Sequence, residues 1–499
     1  MNLHSNPADA SAQAADAAAA EQPYPPAAQG WYCVVILALA VMVNFLDRGI
    51  LTLLVQPIKA DLKLSDVEMS LVMGFAFTFF YAVFGLPVAR LVDRKSRKLI
   101  FSAGLAIFGF ATMLTGLATN FWQLFAARVG LGVGETTSGP SAYSLMSDYF
   151  PPHKLPRAIS VMQVGFVVGV GASLVLGAGI IDFVAHNPDL QLPFFGKLKG
   201  WQIVLMIVAI PGFLVSALML TVREPPRRGI QRDAAPVSEV FQLIWRHKLV
   251  YLPLFIGMGL RSAQMFGNQA WSPAFYSRTY GWSPSQVGYY SGPVIIVAMA
   301  IGVALGGWMA ERYYRQGRKD GNVRVVVAST MVSVPFGIAF PLMPSPWLAL
   351  GCYAIATMTS IMAAAPENAA IQSVTPNRLR GQATFLFLFV MNVIGMGLGP
   401  LAVGAFSQYL FGEADIRYAL ALMGLLAGVP AILVFLRGMA PYGRAYAAGG
   451  VMWSSVARAG NCRSDALKPS PLMGVPDRPC PRHGLTARGA VYPALVGWE

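Results

Sequence analysis

The chain has 499 residues, of which 55% are hydrophobic and only 12% are charged. Soluble proteins are about 25% charged, so this composition excludes an ordinary soluble domain and indicates an integral membrane protein. Lysine and arginine outnumber aspartate and glutamate by 37 to 23. This excess would suggest nucleic-acid binding in a soluble chain, but in a membrane protein it must first be compared with the positions of the loops.

Residues 1–30 are rich in alanine, proline and glutamine and contain neither lysine nor arginine. A secretory signal needs a basic start followed by an apolar stretch, and this segment has neither. The composition favours a disordered N-terminal tail in the cytosol.

From Trp31 onward, apolar stretches recur that are long enough to cross a hydrocarbon core of about 30 Å as helices. The sequence predicts an all-α membrane protein with an N-terminal bundle over 31–222, a cytosolic central loop over 223–248, a C-terminal bundle over 249–437 and a disordered cytosolic tail over 438–499. Each bundle contains six of the twelve predicted transmembrane helices, which span 31–58, 69–91, 98–118, 121–147, 157–183, 201–222, 249–277, 284–312, 322–343, 346–374, 383–411 and 417–437.

The loop charges predict the orientation. Connections on the side of the two termini contain 20 lysines and arginines, and those on the opposite side contain 6. Because cytosolic loops retain positive charge, both termini are predicted to be cytosolic, in a multi-pass protein of the inner membrane. Topology and attraction to anionic membrane lipids then explain the basic excess, and no nucleic-acid partner is expected.

Cysteine and histidine patterns argue against metal chemistry. The four cysteines have no paired metal spacing and the five histidines form no cluster, so no zinc site and no disulfide framework are predicted. The sequence also lacks a Walker-type glycine loop and any catalytic-triad motif, which disfavours an enzyme or a nucleotide-driven pump.

The connection between the second and third helix carries the same pattern in both halves. A small residue precedes an acid followed by arginine and then by further bases: Ala89, Asp93, Arg94, Arg97 and Lys98 in the first half, and Gly307, Glu311, Arg312, Arg318 and Lys319 in the second. The pattern resembles the loop signature of the major facilitator superfamily, with Ala89 in place of the usual glycine. In that family this loop latches the two halves in the outward-open state, which implies a conformational latch at Asp93, Arg94, Arg97, Glu311 and Arg312.

Two further motifs strengthen the resemblance, Arg128-x-x-x-Gly132-x-Gly134-Glu135 in the fourth helix and Gly395-x-x-x-Gly399-Pro400 in the eleventh. Together with the fourth-helix motif, Asn44-Phe45-Leu46-Asp47-Arg48 in the first helix resembles the Spinster (Spns) group of bacterial homologues. The resemblance implies the major facilitator fold, with two six-helix bundles facing each other around a central cavity, and transport by alternating access. It also implies a lysolipid, sphingoid or similar amphipath as the substrate, exported in exchange for protons.

Four charged residues lie inside predicted helices of the first half: Asp47 and Arg48 in the first helix, and Arg128 and Glu135 in the fourth. Left unpaired at the bilayer centre, they would together cost roughly 10 to 14 kcal/mol, so we expect them to pair or to face a wet cavity. Counting residues from the helix ends places Asp47 and Arg128 at depths that agree within about one turn, which allows a contact between them.

Burial favours the neutral form of a carboxyl group and a nearby arginine favours the charged form, so movement of Arg128 between Asp47 and Glu135 would change proton affinity. We expect Glu135 to carry the proton, and the Spinster resemblance implies a coupling role for Asp47, Arg128 and Glu135. The alternative is a static ion pair that only fixes helix packing.

Polar and aromatic residues at other positions are expected to line the substrate cavity. Arg261, Gln264 and Asn268 share a helix face that would suit an anionic or polar head group, although the amides could instead form interhelical hydrogen bonds. Pro366 predicts a break or hinge beside Glu367. The candidate cavity residues are Arg48, Tyr81, Tyr143, Arg261, Gln264, Asn268, Glu367, Asn368 and Asn392.

These features predict a monomeric secondary transporter driven by the proton gradient, without a metal or other cofactor, that moves an amphipathic or organic anionic small molecule. One alternative is a proton symporter that imports an organic carboxylate. Another is a non-transporting membrane receptor or lipid-binding protein, although a receptor does not need a titrating group inside the membrane.

Overall fold

The computed structural model describes residues 24–151, 153–187, 198–227, 237–318, 320–376 and 378–447. Helices and turns account for this part of the chain, which contains no β-strand. The predicted all-α class is confirmed. Most of the predicted N-terminal tail, at 1–23, and most of the C-terminal tail, at 448–499, lie outside the described residues.

The first six membrane helices form the N-terminal bundle, in which α1 packs along α5 and α3 packs along α6. They are α1, Ala27–Leu53, continued by Val55–Leu62; α2, composed of Asp66–Ser70, a π-helical turn at Leu71–Phe75 and Ala76–Arg94; α3, Arg97–Gly116; α4, composed of Phe121–Glu135 and Ser138–Tyr149; α5, Leu155–His186; and α6, Gly200–Thr221.

A linker helix, Val237–Arg246, leads to the C-terminal bundle, in which α7 packs against α11 and α12 and α10 packs against α8 and α9. These helices are α7, Lys248–Tyr280; α8, Pro284–Arg315; α9, Gly321–Ala339 with a 3-10 turn at Phe340–Leu342; α10, composed of Pro346–Met362 and Ala364–Val374; α11, Arg380–Phe411, with π-helical turns at Met391–Leu398 and Ser407–Phe411; and α12, Glu413–Ala447, with a π-helical turn at Gly424–Gly428.

Eleven helices of the described chain are long and apolar enough to cross a membrane. The fourth is not among them because it is divided into pieces of 15 and 12 residues. At the division, the hydroxyls of Thr136 and Thr137 donate to the carbonyls of Val133 (2.5 Å) and Gly134 (3.0 Å), and such local bonds compete with the helical hydrogen-bond ladder. The predicted span 121–147 joins both pieces and supplies the twelfth membrane helix.

Two predicted boundaries differ from the structure. Helix α1 begins at Ala27, inside the segment 1–30 that was expected to be disordered. Helix α12 continues to Ala447, into the predicted tail 438–499. In that extension Tyr442 is buried and shares a 2.8 Å hydrogen bond with Ser373 of α10, so packing against a neighbouring helix stabilises a segment too polar to span the membrane.

Successive membrane helices run in opposite directions. The connections that lead from an odd-numbered helix to the next even-numbered helix, such as the one from α1 to α2, therefore lie at one end of the bundles, called here the far side. The central loop, the start of α1 and the end of α12 lie at the opposite end, called here the terminal side. The bundles pack against each other through α5 with α8 and α2 with α11. Gly288 of α8 lies against Leu174 of α5, and a Cβ at Gly404 of α11 would lie 2.7 Å from the Asp66 carbonyl oxygen of α2. These close contacts bring the two bundles together toward the far side.

Candidate functional site

The charged residues predicted inside α1 and α4 form two adjacent ion pairs. Arg128 of α4 pairs with Asp47 of α1, and both side chains are buried. The hydroxyl of Thr112, on α3, donates to the other oxygen of Asp47 at 3.0 Å. The contact that the helix depths allowed is therefore present, and Thr112 is a further partner that the sequence did not single out.

The second pair joins the neighbouring residue of α1 to the end of the first α4 segment. Nη2 of Arg48 lies 2.6 Å from each carboxylate oxygen of Glu135. The Arg48 guanidinium also stacks 4.2 Å from the centroid of the Phe77 ring, a favourable cation–π geometry. The side chains of Arg48 and Glu135 retain 19% and 13% exposure, whereas the Asp47 and Arg128 side chains retain 1% and 3%.

The partner of Glu135 therefore differs from the expectation. We expected Arg128 to serve both acids, but in this structure Arg128 pairs with Asp47 and Arg48 pairs with Glu135. The reason is geometric: consecutive helical residues point about 100° apart, so Asp47 and Arg48 contact different residues of α4.

The C-terminal bundle contains a corresponding pair. Arg261 of α7 binds Glu367 of α10, and its Nη1 donates to the Ser360 carbonyl at 3.0 Å. Both charged side chains are buried. The sequence singled out each residue as a cavity candidate but not their pairing, because 106 positions separate them along the chain.

A cavity with about 1420 Å³ of empty volume, part of it open solvent, lies between the two bundles. Its walls are mostly apolar, and the charged side chains in them are Arg48 and Arg128. The large apolar residues of its walls include Phe45, Met73, Phe77, Leu131 and Phe166 from the N-terminal bundle, and Met265, Phe266, Ile295, Met299 and Met396 from the C-terminal bundle.

Gln264 and Asn268 also line this cavity, but both side chains are largely buried. A Cβ at Gly337 of α9 would lie 2.6 Å from Nε2 of Gln264, and one at Gly428 of α12 would lie 2.5 Å from its Oε1. Nε2 of Gln264 has no hydrogen-bond partner among the described residues. Gln264 is therefore fitted against glycines of two neighbouring helices as well as forming part of the wall.

The remaining cavity candidates are not among the residues that line this cavity. Tyr81 is close enough to Arg48 and Glu135 to interact electrostatically with both, and Tyr143 is half-exposed. Asn368 donates to the Ala364 carbonyl of its own helix at 3.1 Å. Asn392 lies in the first π-helical turn of α11.

The predicted latch residues make contacts within their own bundles. Arg97 of α3 is buried and pairs with Asp148 of α4 and with Glu224, which follows α6, at 3.1 Å. Although burial raises the pKa of Glu224, hydrogen bonds from Ser96 and Arg97 outweigh it and leave the pKa below its ordinary value. The Arg97 cluster thus ties three parts of the N-terminal bundle together.

Other residues of the two latch loops are solvent-facing. Asp93 and Arg94 are exposed, and the Asp93 carbonyl accepts a hydrogen bond from Arg227. On α8, Glu311 pairs with Arg315 at 2.5 Å across one turn, and both side chains are more than half exposed. The Arg312 guanidinium lies 5.4 Å from the Trp308 ring centroid.

A charged network that the sequence did not predict joins the bundles at the far side. Asp66 of α2 is fully buried and pairs with Lys59 of the same bundle and with Arg278 of α7, whose two nitrogens lie 2.7 and 2.8 Å from it. Lys59 also pairs with Glu413 at the start of α12, at 2.8 Å. Two acids and two bases therefore balance each other across the interface, where the sequence had indicated only ordinary loop charges.

The sequence matches known transporters along most of its length. The model of the Major Facilitator Superfamily matches residues 37–400. An MFS-type efflux pump of Mycolicibacterium smegmatis is 29% identical over 77% of this chain and 85% of its own. A D-galactonate transporter of Escherichia coli is 24% identical over 81% and 95%, respectively.

Among solved structures, the chain resembles a bacterial homologue of the human lysosomal transporter Spinster, crystallised in an inward-facing, unoccupied conformation. The two share 25% identity with a TM-score of 0.69, over 84% of this chain and 97% of that one. This match confirms the Spinster-like resemblance and the two-bundle fold that it implied.

Proposed function

Because the chain belongs to the major facilitator superfamily, we propose that it is a proton-coupled transporter that moves an amphipathic anion across the membrane by alternating access. Members of this family are multi-pass membrane transporters rather than enzymes, and that general role applies to this chain. The observation that supports the finer proposal is the Arg48–Glu135 pair, in which Arg48 lines the cavity.

In this proposal Arg48 couples the substrate to the proton. Its guanidinium holds Glu135 and also lines the cavity, so an anion that enters the cavity competes with Glu135 for the same donors. A carboxylate that loses its counter-charge in a weakly polar site gains proton affinity. Binding of the anion therefore favours protonation of Glu135, and its release allows the Arg48–Glu135 pair to form again.

This competition has a consequence for the direction of coupling. The anion and the proton are bound at the same time, which favours cotransport of the two over the exchange implied by the Spinster resemblance.

Asp47 and Arg128 have a different role in the proposal. Their pair is buried and supported by Thr112, while Nε and Nη2 of Arg128 have no partner in the described chain. Arg128 therefore lines the cavity with part of its guanidinium unsatisfied, without competing for Glu135.

The cavity wall supports an amphipath as the substrate class. Apolar walls of this kind suit an acyl chain or ring system, and the two arginines suit one acidic head group. The second candidate is import of an organic carboxylate, which is supported by the similarity to the D-galactonate transporter of Escherichia coli. A sugar acid carries several hydroxyl groups, and although Gln264, Asn268 and Gln269 offer hydrogen-bond partners in the wall, most of the wall is apolar. This argument places the amphipath first.

We further propose that the protein acts as a monomer in the inner membrane with both termini cytosolic. The loop charges support this orientation. With that orientation, closure of the far side corresponds to an inward-facing state, the state of the Spinster homologue.

Transport in proteoliposomes tests the proposal. Purified protein under an imposed pH gradient is given lysophosphatidylglycerol or D-galactonate, and both solute and proton fluxes are recorded. Glu135→Gln should abolish gradient-driven accumulation and leave exchange of preloaded solute intact, because the neutral side chain no longer needs a proton.

Glu239→Gln is the matched control. It changes an acid of the linker helix whose side chain is 38% exposed and which lies 3.3 Å from Arg378, and it should transport like the unmodified protein. If Glu135→Gln also transports like the unmodified protein, the coupling role of Glu135 is wrong. Binding without flux of either solute would favour a receptor.

A further inference from the structure

The ion pair of the C-terminal bundle repeats an arrangement of the N-terminal bundle. The six-plus-six organisation makes α7 the counterpart of α1 and α10 the counterpart of α4. In each bundle an arginine of the first helix holds a glutamate of the fourth: Arg48 with Glu135, and Arg261 with Glu367. The halves therefore share a chemical arrangement as well as a topology.

The helix that carries the acid is interrupted in both bundles. The first segment of α4 ends at Glu135. Helix α10 is divided at Ala363, and Glu367 lies in the first turn of its second segment, with its backbone nitrogen donating to the Ala363 carbonyl at 2.9 Å. Helix interruptions are places where two segments can change their relative angle. In both bundles the paired acid therefore lies next to a point at which its helix can bend.

The C-terminal pair adjoins the cavity through its neighbours. Ser360, whose carbonyl accepts from Arg261, lines the cavity, and so does Gln264, one turn along α7 from Arg261. Nε of Arg261 is buried and has no partner in the described part of the chain. The guanidinium is thus only partly satisfied and lies directly behind the cavity wall.

The surroundings of Glu367 leave it dependent on this single arginine. This part of α10 packs against α7, α8, α9, α11 and α12, and among their described residues Arg261 is the charged group that acts on Glu367. The nearby polar residues Ser360 and Asn368 are uncharged. The Ser360 carbonyl accepts a hydrogen bond from Arg261, and the Asn368 side chain donates to the Ala364 carbonyl of α10. Any movement of α10 that separates the pair would leave two buried, uncompensated charges.

We propose that Arg261 and Glu367 form a second ion-coupling site, at which Glu367 takes up one proton from water when the bending of α10 draws it away from Arg261. This inference extends the proposed function, since it assumes that a protonation event accompanies the conformational cycle. Return of α10 restores the pair and releases that proton to water. The C-terminal bundle would then contribute its own protonation step in addition to the step at Glu135.

The test measures opening of the far side as a function of pH, without requiring a known substrate. Spin labels on Thr119→Cys and Pro344→Cys, in a background without native cysteines, report the distance between the far-side loops of the two bundles. For the full-length protein in lipid nanodiscs, we expect this distance to change with pH in two steps. Glu367→Gln should remove one step and Glu135→Gln the other, while the control Glu239→Gln should keep both.

The possible outcomes separate the two proposals. If the far-side distance in Glu367→Gln changes with pH as it does in the unmodified protein, or if Glu135→Gln alone removes all pH dependence of that distance, the second site is wrong and the proposed function stands. If Glu367→Gln removes a step and Glu135→Gln changes nothing, the second site stands and the coupling role of Glu135 fails. No pH dependence in the unmodified protein would overturn both.

Glu367→Gln leaves Arg261 without a counter-charge and can prevent folding for that reason alone. The double variant Arg261→Gln/Glu367→Gln removes both charges and restores electrical balance in the bundle. It should fold and should also lack the C-terminal step. If it folds and retains both steps, the second site is excluded.

Discussion

Replacement of Asp47 by leucine provides a direct measure of the energetics of the N-terminal ion pairs. Asp47 balances the charge of Arg128 and accepts a hydrogen bond from Thr112, and all three side chains are buried. Leucine is larger than aspartate, so the substitution removes charge and hydrogen-bond acceptors without creating a cavity. It leaves Arg128 as a buried cation, with Nε and Nη2 already lacking partners in the described chain.

The expected loss is large because the remaining arginine has no replacement partner. Removing one member of a buried ion pair typically costs about 3 to 5 kcal/mol of unfolding free energy. Removing both charges is often close to neutral, since two well-packed apolar side chains avoid the cost of burying ions. We therefore expect Asp47→Leu to be strongly destabilising, and the double variant Asp47→Leu/Arg128→Leu to be markedly more stable than Asp47→Leu.

Equilibrium unfolding in mixed micelles of SDS and a mild detergent measures these differences. A matched control is Asp61→Asn, because Asp61 pairs with Lys199, whose side chain is 63% exposed at the far side, and asparagine can still accept the hydrogen bond that Trp201 donates to Asp61. Exposed pairs contribute only about 0 to 1 kcal/mol. The reasoning is refuted if Asp47→Leu destabilises no more than Asp61→Asn, or if the double variant loses as much stability as the two single variants added together.

Two further predictions concern stability and the interface between the bundles. The lowered pKa of Glu224 means that its contribution to stability is complete above its ordinary pKa of 4.5 and disappears as the pH falls through the lowered value. Glu224→Gln should therefore weaken the dependence of the unfolding free energy on acid pH, and an unchanged pH profile would contradict this. Gly288→Ala should force α8 away from Leu174 of α5 and widen the far-side spin-label distance. The control Gly307→Ala, on the same helix, places a Cβ that meets no atom within 4 Å and should not change this distance. Equal effects of the two variants would rule out close packing at Gly288.

The sequence was most informative where one physical rule dominated. Apolar stretches of membrane-spanning length predicted the helices, and loop charges predicted an orientation. Depth counting along two helices allowed the Asp47–Arg128 contact that the structure contains. The distance of each residue from its helix end is contained directly in the sequence, whereas the facing of α1 toward α4 is set by folding.

The same rules could not predict how each helix is rotated about its axis, or which residues that lie far apart in the sequence form pairs. The choice of Arg48 as the partner of Glu135 depends on how α1 and α4 are turned toward each other. The pairing of Arg261 with Glu367, and of Asp66 with Arg278, depends on which helices become neighbours after folding. The sequence contains nothing that assigns a partner to any of these residues, so only the assembled bundle shows which of them interact.

The division of α4 has a consequence for how the chain enters the membrane. Its two pieces contain 15 and 12 residues, and its first piece carries Arg128 and Glu135, which together add about 5 to 7 kcal/mol to the free energy of insertion at the bilayer centre. Such a segment is a poor substrate for the translocon by itself, so we expect α4 to be inserted only after α1, with Asp47 and Arg48, is already in place. Glycosylation mapping of α4 in a host protein, with and without α1, would detect this dependence during biogenesis, and efficient insertion of α4 alone would contradict it.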